Sequence, residues 1–235
     1  GQSGEVRCYE LVENHHHHGI LAKTRAPAVG TSHLFPKAKA AMTTLMNHLD
    51  YVGVMALELF VSKDAQGHDY LLANEIAPRV HNSGHWSIEG AITSQFENHI
   101  RAVVGLPLGD TDNIHPAIMV NVLGQYHDIK DALAIDGAHY HSYHKEERED
   151  RKIAHITLMP NDVADLDPAL AKLVAVLPNK VGLDKTTELA ANTEYANSEA
   201  SAISEDKTQT TSAASETAAT NSSPTVKETN HKVKK

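Results

Sequence analysis

An α+β fold is predicted, in which an antiparallel sheet with packed helices leads into a small sheet-rich unit and then a polar tail. Three observations predict it. Two apolar runs flank the turn-rich stretch Ser62 to Asp69, as in a β-hairpin. Two other segments repeat apolar residues at three and four, as amphipathic helices do. From about Pro116 short strand-like runs dominate, and beyond Leu189 the composition collapses to Ala, Ser, Thr, Asn, Glu and Lys.

The elements follow in order. Glu5 to Val12 alternates and reads as a first strand. The chain enters it from Gly1 without a lead-in, and a strand needs neighbours, so the sequence reads as the back portion of something longer. A loop is expected through Glu13 to Gly19 and on to Ala28. Ala38, Ala41, Met42, Leu45, Met46 and Leu49 then give a helix one apolar face. After the hairpin comes a polar loop, Ala77 to His85, and a helix from about Ile88 to Val104 with Ile88, Ala91, Ile92, Phe96, Ile100 and Val103 facing inward. Gly105 and Pro107 end it. Strands are expected at Ala117 to Leu123, Ala138 to Tyr143 and Ile153 to Leu158, and a closing helix at Pro168 to Leu177. With the break in the polar stretch Gly109 to Asn113, the predicted units are 1–112, 113–189 and a disordered tail, 190–235. The basic end of that tail reads as a solvated terminus.

The hairpin carries the most informative pair of residues. With its turn centred on Gln66 and Gly67, Glu58 lies opposite Glu75. Like charges so opposed repel, and a carboxylate in an apolar run is costly unless compensated. Two arrangements answer this: a hard divalent cation between the carboxylates, or one glutamate turned to solvent or paired with a lysine. Magnesium accepts one or two protein carboxylates and completes its octahedron with water and phosphate oxygens, which would imply a nucleotide.

The net charge of −9 and the absence of a basic run in the folded part argue against a nucleic-acid binder. A single cysteine, Cys8, excludes an internal disulfide and suits a reducing cytoplasm. No apolar stretch approaches membrane-spanning length, so a soluble cytoplasmic protein is expected.

Two further clusters carry chemistry. Asn74 to Trp86 gathers a carboxylate, a guanidinium, two imidazoles and two carboxamides. Arg79 offers a planar fork for a carboxylate, carbonate or phosphate, and His81 can move a proton near neutral pH. Pro78 stiffens the turn and Gly84 permits close backbone approach. The bland reading is a loop that caps the following helix. His144 to Lys152 is a charged connection that reads either as a solvated hairpin tip or, through Lys145, Arg148, Arg151 and Lys152, as a phosphate-monoester site.

At these residues the chain resembles the N5-carboxyaminoimidazole ribonucleotide synthetases of purine biosynthesis, members of the ATP-grasp superfamily. The resemblance rests on Asn74 to Trp86 with Ser94 to Glu97 behind it, on Tyr51 to Glu58, on Glu13-Asn14 with His16 and Gly19 to Leu21, and on Lys145 to His155. It implies the C-terminal part of an ATP-grasp domain followed by a small substrate-binding domain. It further implies magnesium on Glu58 and Glu75, ATP at His16, Asn74 and Glu75, and bicarbonate and the carboxyphosphate intermediate at Arg79 and His81. The ribonucleotide would meet Asn82, Lys145, Arg148, Arg151 and Lys152, with Lys145 among the catalytic groups. The implied reaction joins bicarbonate to 5-aminoimidazole ribonucleotide at the expense of ATP, in a homodimer when complete.

Three departures stand out. Many ATP-grasp enzymes place an asparagine ligand two residues after the second glutamate, where this chain has Ala77. The family loop usually reads Arg-Pro before its second basic pair and Gly before the histidine, where this chain has Glu149 and Ala154. The family's front portion, with its adenine- and phosphate-binding lysine and hinge, is not present, so the chain alone is expected to be inactive. The run His15 to His18 lies between matching residues and reads as native, with metal affinity incidental. Rival readings are a non-catalytic ribonucleotide-binding remnant and a related ligase such as formate-dependent glycinamide ribonucleotide transformylase, whose loop differs from Asn82 to Trp86.

Overall fold

The structure, a computed structural model, describes residues 1–177 and Leu183. The expected tail, 190–235, lies outside them. Strands β1 (Glu13–His17), β2 (Ile20–Ala26), β3 (Ala56–Lys63), β4 (Asp69–Ala77), β5 (Ala117–Leu123), β6 (Ala138–Ser142) and β7 (Lys152–Leu158) alternate with helices α1 (Phe35–His48), α2 (Ser87–Gly90), α3 (Gln95–Val103), α4 (Lys130–Leu133) and α5 (Leu166–Val176). Five strands form one antiparallel sheet in the order β1-β2-β5-β7-β6, and among the described residues β3 pairs only with β4.

The strand expected at Glu5 to Val12 is not one. That segment makes no ladder among the described residues and is tied down by single bonds instead: Tyr9 Oη donates to the Thr93 carbonyl, and Thr111 Oγ1 donates to that of Cys8. The expected loop after it is instead the hairpin of β1 and β2. Its polar composition concealed it, because β1 is an edge strand and the buried Lys23 and Thr24 of β2 do not look like core.

The second correction concerns the helix expected at 88 to 104. Gly90 closes α2, Ala91 bridges to Asn113, and α3 restarts at Ser94, whose hydroxyl accepts from the Glu97 amide at 3.1 Å as an N-cap. The buried residues of α3 are Gln95, Asn98 and Ala102, whereas Phe96, Ile100 and Val103, with Ile92 before them, are exposed. Thus the inward face is the polar one. Its polar groups serve buried backbone: Asn98 Oδ1 accepts from the Gly109 amide at 2.8 Å, and Gln95 grips the backbone of His81.

The strands expected at β5, β6 and β7 and the closing helix α5 are present. All seven residues of β5 are buried, because helix and loop cover the sheet on opposite faces. Ile118, Val120 and Val122 pack with Ile156 and Leu158 against Leu166, Leu170 and Leu173 of α5. Ala117 and Met119 point the other way, toward Trp86, Leu21 and Ala26. Period two therefore places Asn121 on the Trp86 face. Residues 113–189, predicted as a separate unit, begin with strand β5, which pairs directly with β2.

Gly137, at φ 75°, turns the chain into β6, and a Cβ there would lie 2.6 Å from the Met159 carbonyl oxygen. We expect Gly137→Ala to lower stability by about 1–3 kcal/mol, read as a lower urea midpoint with unchanged slope.

Candidate functional site

The β3–β4 turn is closed by Asp64, whose Oδ1 accepts from the amides of Gln66 at 2.9 Å and His68 at 2.8 Å, with Gly67 at φ 84°. Glu58 and Glu75 are cross-strand partners, as expected. The route to that pairing differs from the expectation. From the turn, Lys63 pairs with Asp69 and Leu59 with Ala73, a register that alone would set Glu58 against Asn74. A bulge takes up Asn74 as the extra residue and brings Glu75 opposite Glu58. Directly opposed residues share a face, so both carboxylates point the same way.

Four groups surround Glu58: Asn74, His81, His16 and Lys152. Asn74 Nδ2 donates to its Oε2 at 3.3 Å, and His81 Nε2 stands 3.9 Å from its Oε1. His81 Nδ1 accepts from the Ser83 amide, which leaves the imidazole proton on the Nε2 that faces Glu58. Burial lowers the pKa of His81, with Glu58 opposing and Arg79 and Lys152 reinforcing. His16, on β1, is lowered in the same way, by burial first, and feels Glu58, Glu75 and Lys152. Lys152, at the start of β7, is lowered by burial and by Lys145 and Arg79, against the pull of Glu58. Six of the expected residues, His16, Glu58, Glu75, Arg79, His81 and Lys152, therefore share one electrostatic neighbourhood.

Asn82 joins that neighbourhood to the sheet. It forms a reciprocal amide pair with Asn121 and also accepts from Lys152 Nζ at 3.2 Å. Lys145 lies near Lys152, its ammonium 5.1 Å from the centroid of the Tyr143 ring. Arg148 and Arg151 stay in the hairpin tip, where the structure gives them backbone bonds only: Arg148 to Gly124, and Arg151 to Arg148 and Gly124.

Residues the sequence did not single out hold this arrangement. Gln95 Oε1 accepts from the His81 amide at 2.9 Å, while its Nε2 donates to the His81 carbonyl at 2.7 Å and to His85 Nδ1 at 2.8 Å. Gly84 is required here, since a Cβ would lie 2.6 Å from Gln95 Oε1. Beneath the loop, Asn121, His155 and His141 occupy one row across β5, β7 and β6. His141 donates to Glu89, and its ring stacks on His155 at 4.7 Å between centroids. Gln95 and His155 were marked only by lying in stretches that carry the resemblance, and Asn121 and His141 only as polar side chains at alternate positions of strands.

The donor set fits magnesium, a hard cation that takes one or two carboxylates and completes its shell with phosphate oxygens and water: Glu58 and Glu75 stand side by side on one face. Among the described residues no group of three His, Cys, Asp or Glu could hold a metal ion, and this includes the histidine run.

His85 and His155 are pushed down to about 4 and about 3, each chiefly by burial and then by neighbouring histidines, joined by lysines at His85. Both are neutral in the folded chain at pH 5, where the unfolded chain protonates them. Stability therefore falls as pH drops from about 6.5, by on the order of 2 kcal/mol per histidine at pH 5. Urea midpoints of the full chain at pH 7 and 5 check this, and His155→Gln should flatten the difference.

Comparison with known proteins places these features in a family. Residues 1–96 match the ATP-grasp domain, and residues 117–168 match the phosphoribosylaminoimidazole carboxylase C-terminal domain. The N5-carboxyaminoimidazole ribonucleotide synthase of Vibrio parahaemolyticus is 48% identical over 177 residues, covering 75% of this chain and 45% of the relative. That of Escherichia coli is 41% identical over 179 residues, 76% of this chain and 48% of the relative. Among solved structures, the N5-carboxyaminoimidazole ribonucleotide synthetase of Thermus thermophilus aligns with a TM-score of 0.71 and 49% identity, over 76% of this chain and 49% of that one. The Aspergillus clavatus synthase in complex with ADP and 5-aminoimidazole ribonucleotide aligns at 0.65 and 30% identity, over 72% and 46%. The chain spans about half the length of the curated relatives it matches.

Proposed function

We propose, from the premise that the chain belongs to the N5-carboxyaminoimidazole ribonucleotide synthase family of ATP-grasp proteins, that it supplies the metal-holding and substrate-receiving half of an ATP-dependent carboxylating ligase. The observation that carries the reading is the same-face pairing of Glu58 and Glu75, with His81 and Lys152 gathered around Glu58. In the proposed reaction a bicarbonate oxygen attacks the γ-phosphorus of ATP, expelling ADP and leaving carboxyphosphate. The exocyclic amine of 5-aminoimidazole ribonucleotide then takes the carboxyl carbon, losing a proton as inorganic phosphate departs.

Magnesium, when bound by Glu58 and Glu75, would neutralise charge on the phosphates. The other roles fall to the chain's own groups. Arg79 presents a planar fork to bicarbonate, and the uncharged His81, its Nδ1 held against Ser83 and its backbone clamped by Gln95, offers its Nε2–H to the bicarbonate oxygens, while the amine proton leaves with the departing phosphate. His16 and Asn74 flank Glu58 where the triphosphate would arrive. Lys145 and Lys152 offer positive charge toward the ribonucleotide and the departing phosphate, with Arg148 and Arg151 at the rim and Asn82 between loop and sheet. His16, His81 and Lys152 are half-buried, which limits water near Glu58, where it would hydrolyse carboxyphosphate.

Homodimerisation and a cytoplasmic setting belong to the same proposal. The single Cys8 supports the latter, and among the described residues no helix is long and apolar enough to cross a membrane.

The test is phosphate release by the whole protein with ATP, bicarbonate and 5-aminoimidazole ribonucleotide. Glu58→Gln and Glu75→Gln are each expected to lower the rate by on the order of 100-fold or more. The isolated chain is expected to turn over no ATP. Ribonucleotide-stimulated turnover by that chain, or full activity in either variant, would contradict the assignment.

A further inference from the structure

The bonds that join the loop to the sheet have fixed directions. Asn121 Nδ2 donates to the Leu21 carbonyl at 2.8 Å, and a carbonyl only accepts, so this carboxamide has one orientation. Asn121 Nδ2 also donates to Asn82 Oδ1 at 2.7 Å, and Asn82 Nδ2 returns a bond to Asn121 Oδ1 at 3.0 Å. Lys152 Nζ, which can only donate, meets the same Asn82 Oδ1 at 3.2 Å. The remaining Asn82 hydrogen faces Tyr143 Oη at 3.5 Å, the longest link of the chain. An amide nitrogen cannot accept, so the Tyr143 hydroxyl hydrogen must go to its other neighbour, His155 Nδ1, at 2.8 Å. His155 then carries its proton on Nε2, a buried atom with no hydrogen-bond partner.

A carboxamide has two donor hydrogens and two acceptor lone pairs. In Asn82 protein groups use all four: Asn121 and Lys152 on the oxygen, Asn121 and Tyr143 on the nitrogen. Nothing is left for a ligand. We propose that Asn82 is a positioning hub rather than a substrate ligand, and that Asn121, Tyr143 and His155 act through it to hold the Lys152 ammonium beside Glu58, His81 and Arg79. The bond directions stand by themselves; what the ammonium meets there rests on the ligase reading above. Burial, which keeps His155 neutral and raises the pKa of the Tyr143 phenol, preserves the chain of donors across the working pH range.

The test combines spectroscopy with kinetics. In the full chain labelled with 15N-histidine and 15N-lysine, His155 is expected as the Nε2–H tautomer between pH 6 and 8. Tyr143→Phe removes the donor to Nδ1, and both tautomers should then appear, with a shifted signal from the Lys152 side chain. In the whole protein, Tyr143→Phe and His155→Leu should lower kcat for ribonucleotide-dependent phosphate release about tenfold, the loss of one buried hydrogen bond, with KM for ATP unchanged. His155→Gln, which keeps an acceptor for the phenol, should retain most of kcat. A wild-type His155 protonated on Nδ1 overturns the proposal. So does a Tyr143→Phe chain whose His155 and Lys152 signals stay as in the wild type, or equal kinetic loss in the Gln and Leu variants. Should the wild-type whole protein release no phosphate while both spectroscopic results hold, the ligase reading fails and the positioning of Lys152 stands.

Discussion

A polar row runs through an otherwise apolar sheet. Asn121, His155 and His141 stand side by side on β5, β7 and β6; β5 and β7 are buried on both faces, and β6 is the half-exposed edge. A buried polar group left without a partner costs about 1–3 kcal/mol, so such a row is tolerated only where something bonds to it. The loop between β4 and α3 supplies much of what it needs. Asn82 takes Asn121, and Glu89 takes His141. Satisfying the sheet therefore fixes the loop, and the loop carries Arg79 and His81.

The inverted helix α3 follows from the same demand. Its inward face is polar because it must grip backbone: Gln95 bonds both the amide and the carbonyl of His81, and Asn98 does the same for Gly109. His81 is thereby held by its own main chain, while its ring is placed by Ser83 and faces Glu58. Across from it, burial of His16, His81 and Lys152 disfavours their charged forms, so the carboxylates keep a setting in which added positive charge is strongly attracted. A site made this way is held in shape before any ligand arrives.

Much of this was legible in the residues, and the remainder has physical reasons for being hidden. The apolar runs of β5 and β7 announced themselves, since a strand covered on both faces has little choice of composition. Strand β1 did not, because an edge needs only one neighbour and can be built from Asn and His. The pairing of β2 with β5 joins residues nearly a hundred positions apart, which no local pattern encodes. The periodicity of Phe96, Ile100 and Val103 revealed that α3 has an apolar face, but not which face turns inward. Within the site, Glu58 and Glu75 were visible because charge in an apolar run is unusual, and His81 because its loop gathers so many polar groups. Tyr143, His155 and Asn121 were not, because a polar residue at alternate positions of a strand ordinarily faces water.

The hairpin obeys a parity rule. Side chains on a strand alternate, so sliding one strand past the other by a single position exchanges inside for outside along its whole length. Counted from the turn alone, β4 would send its second acid away from the first; the skipped Asn74 restores agreement. Changes to the turn in even steps would be absorbed, whereas losing the skip without shortening the strand would leave two acids that can never meet one ion.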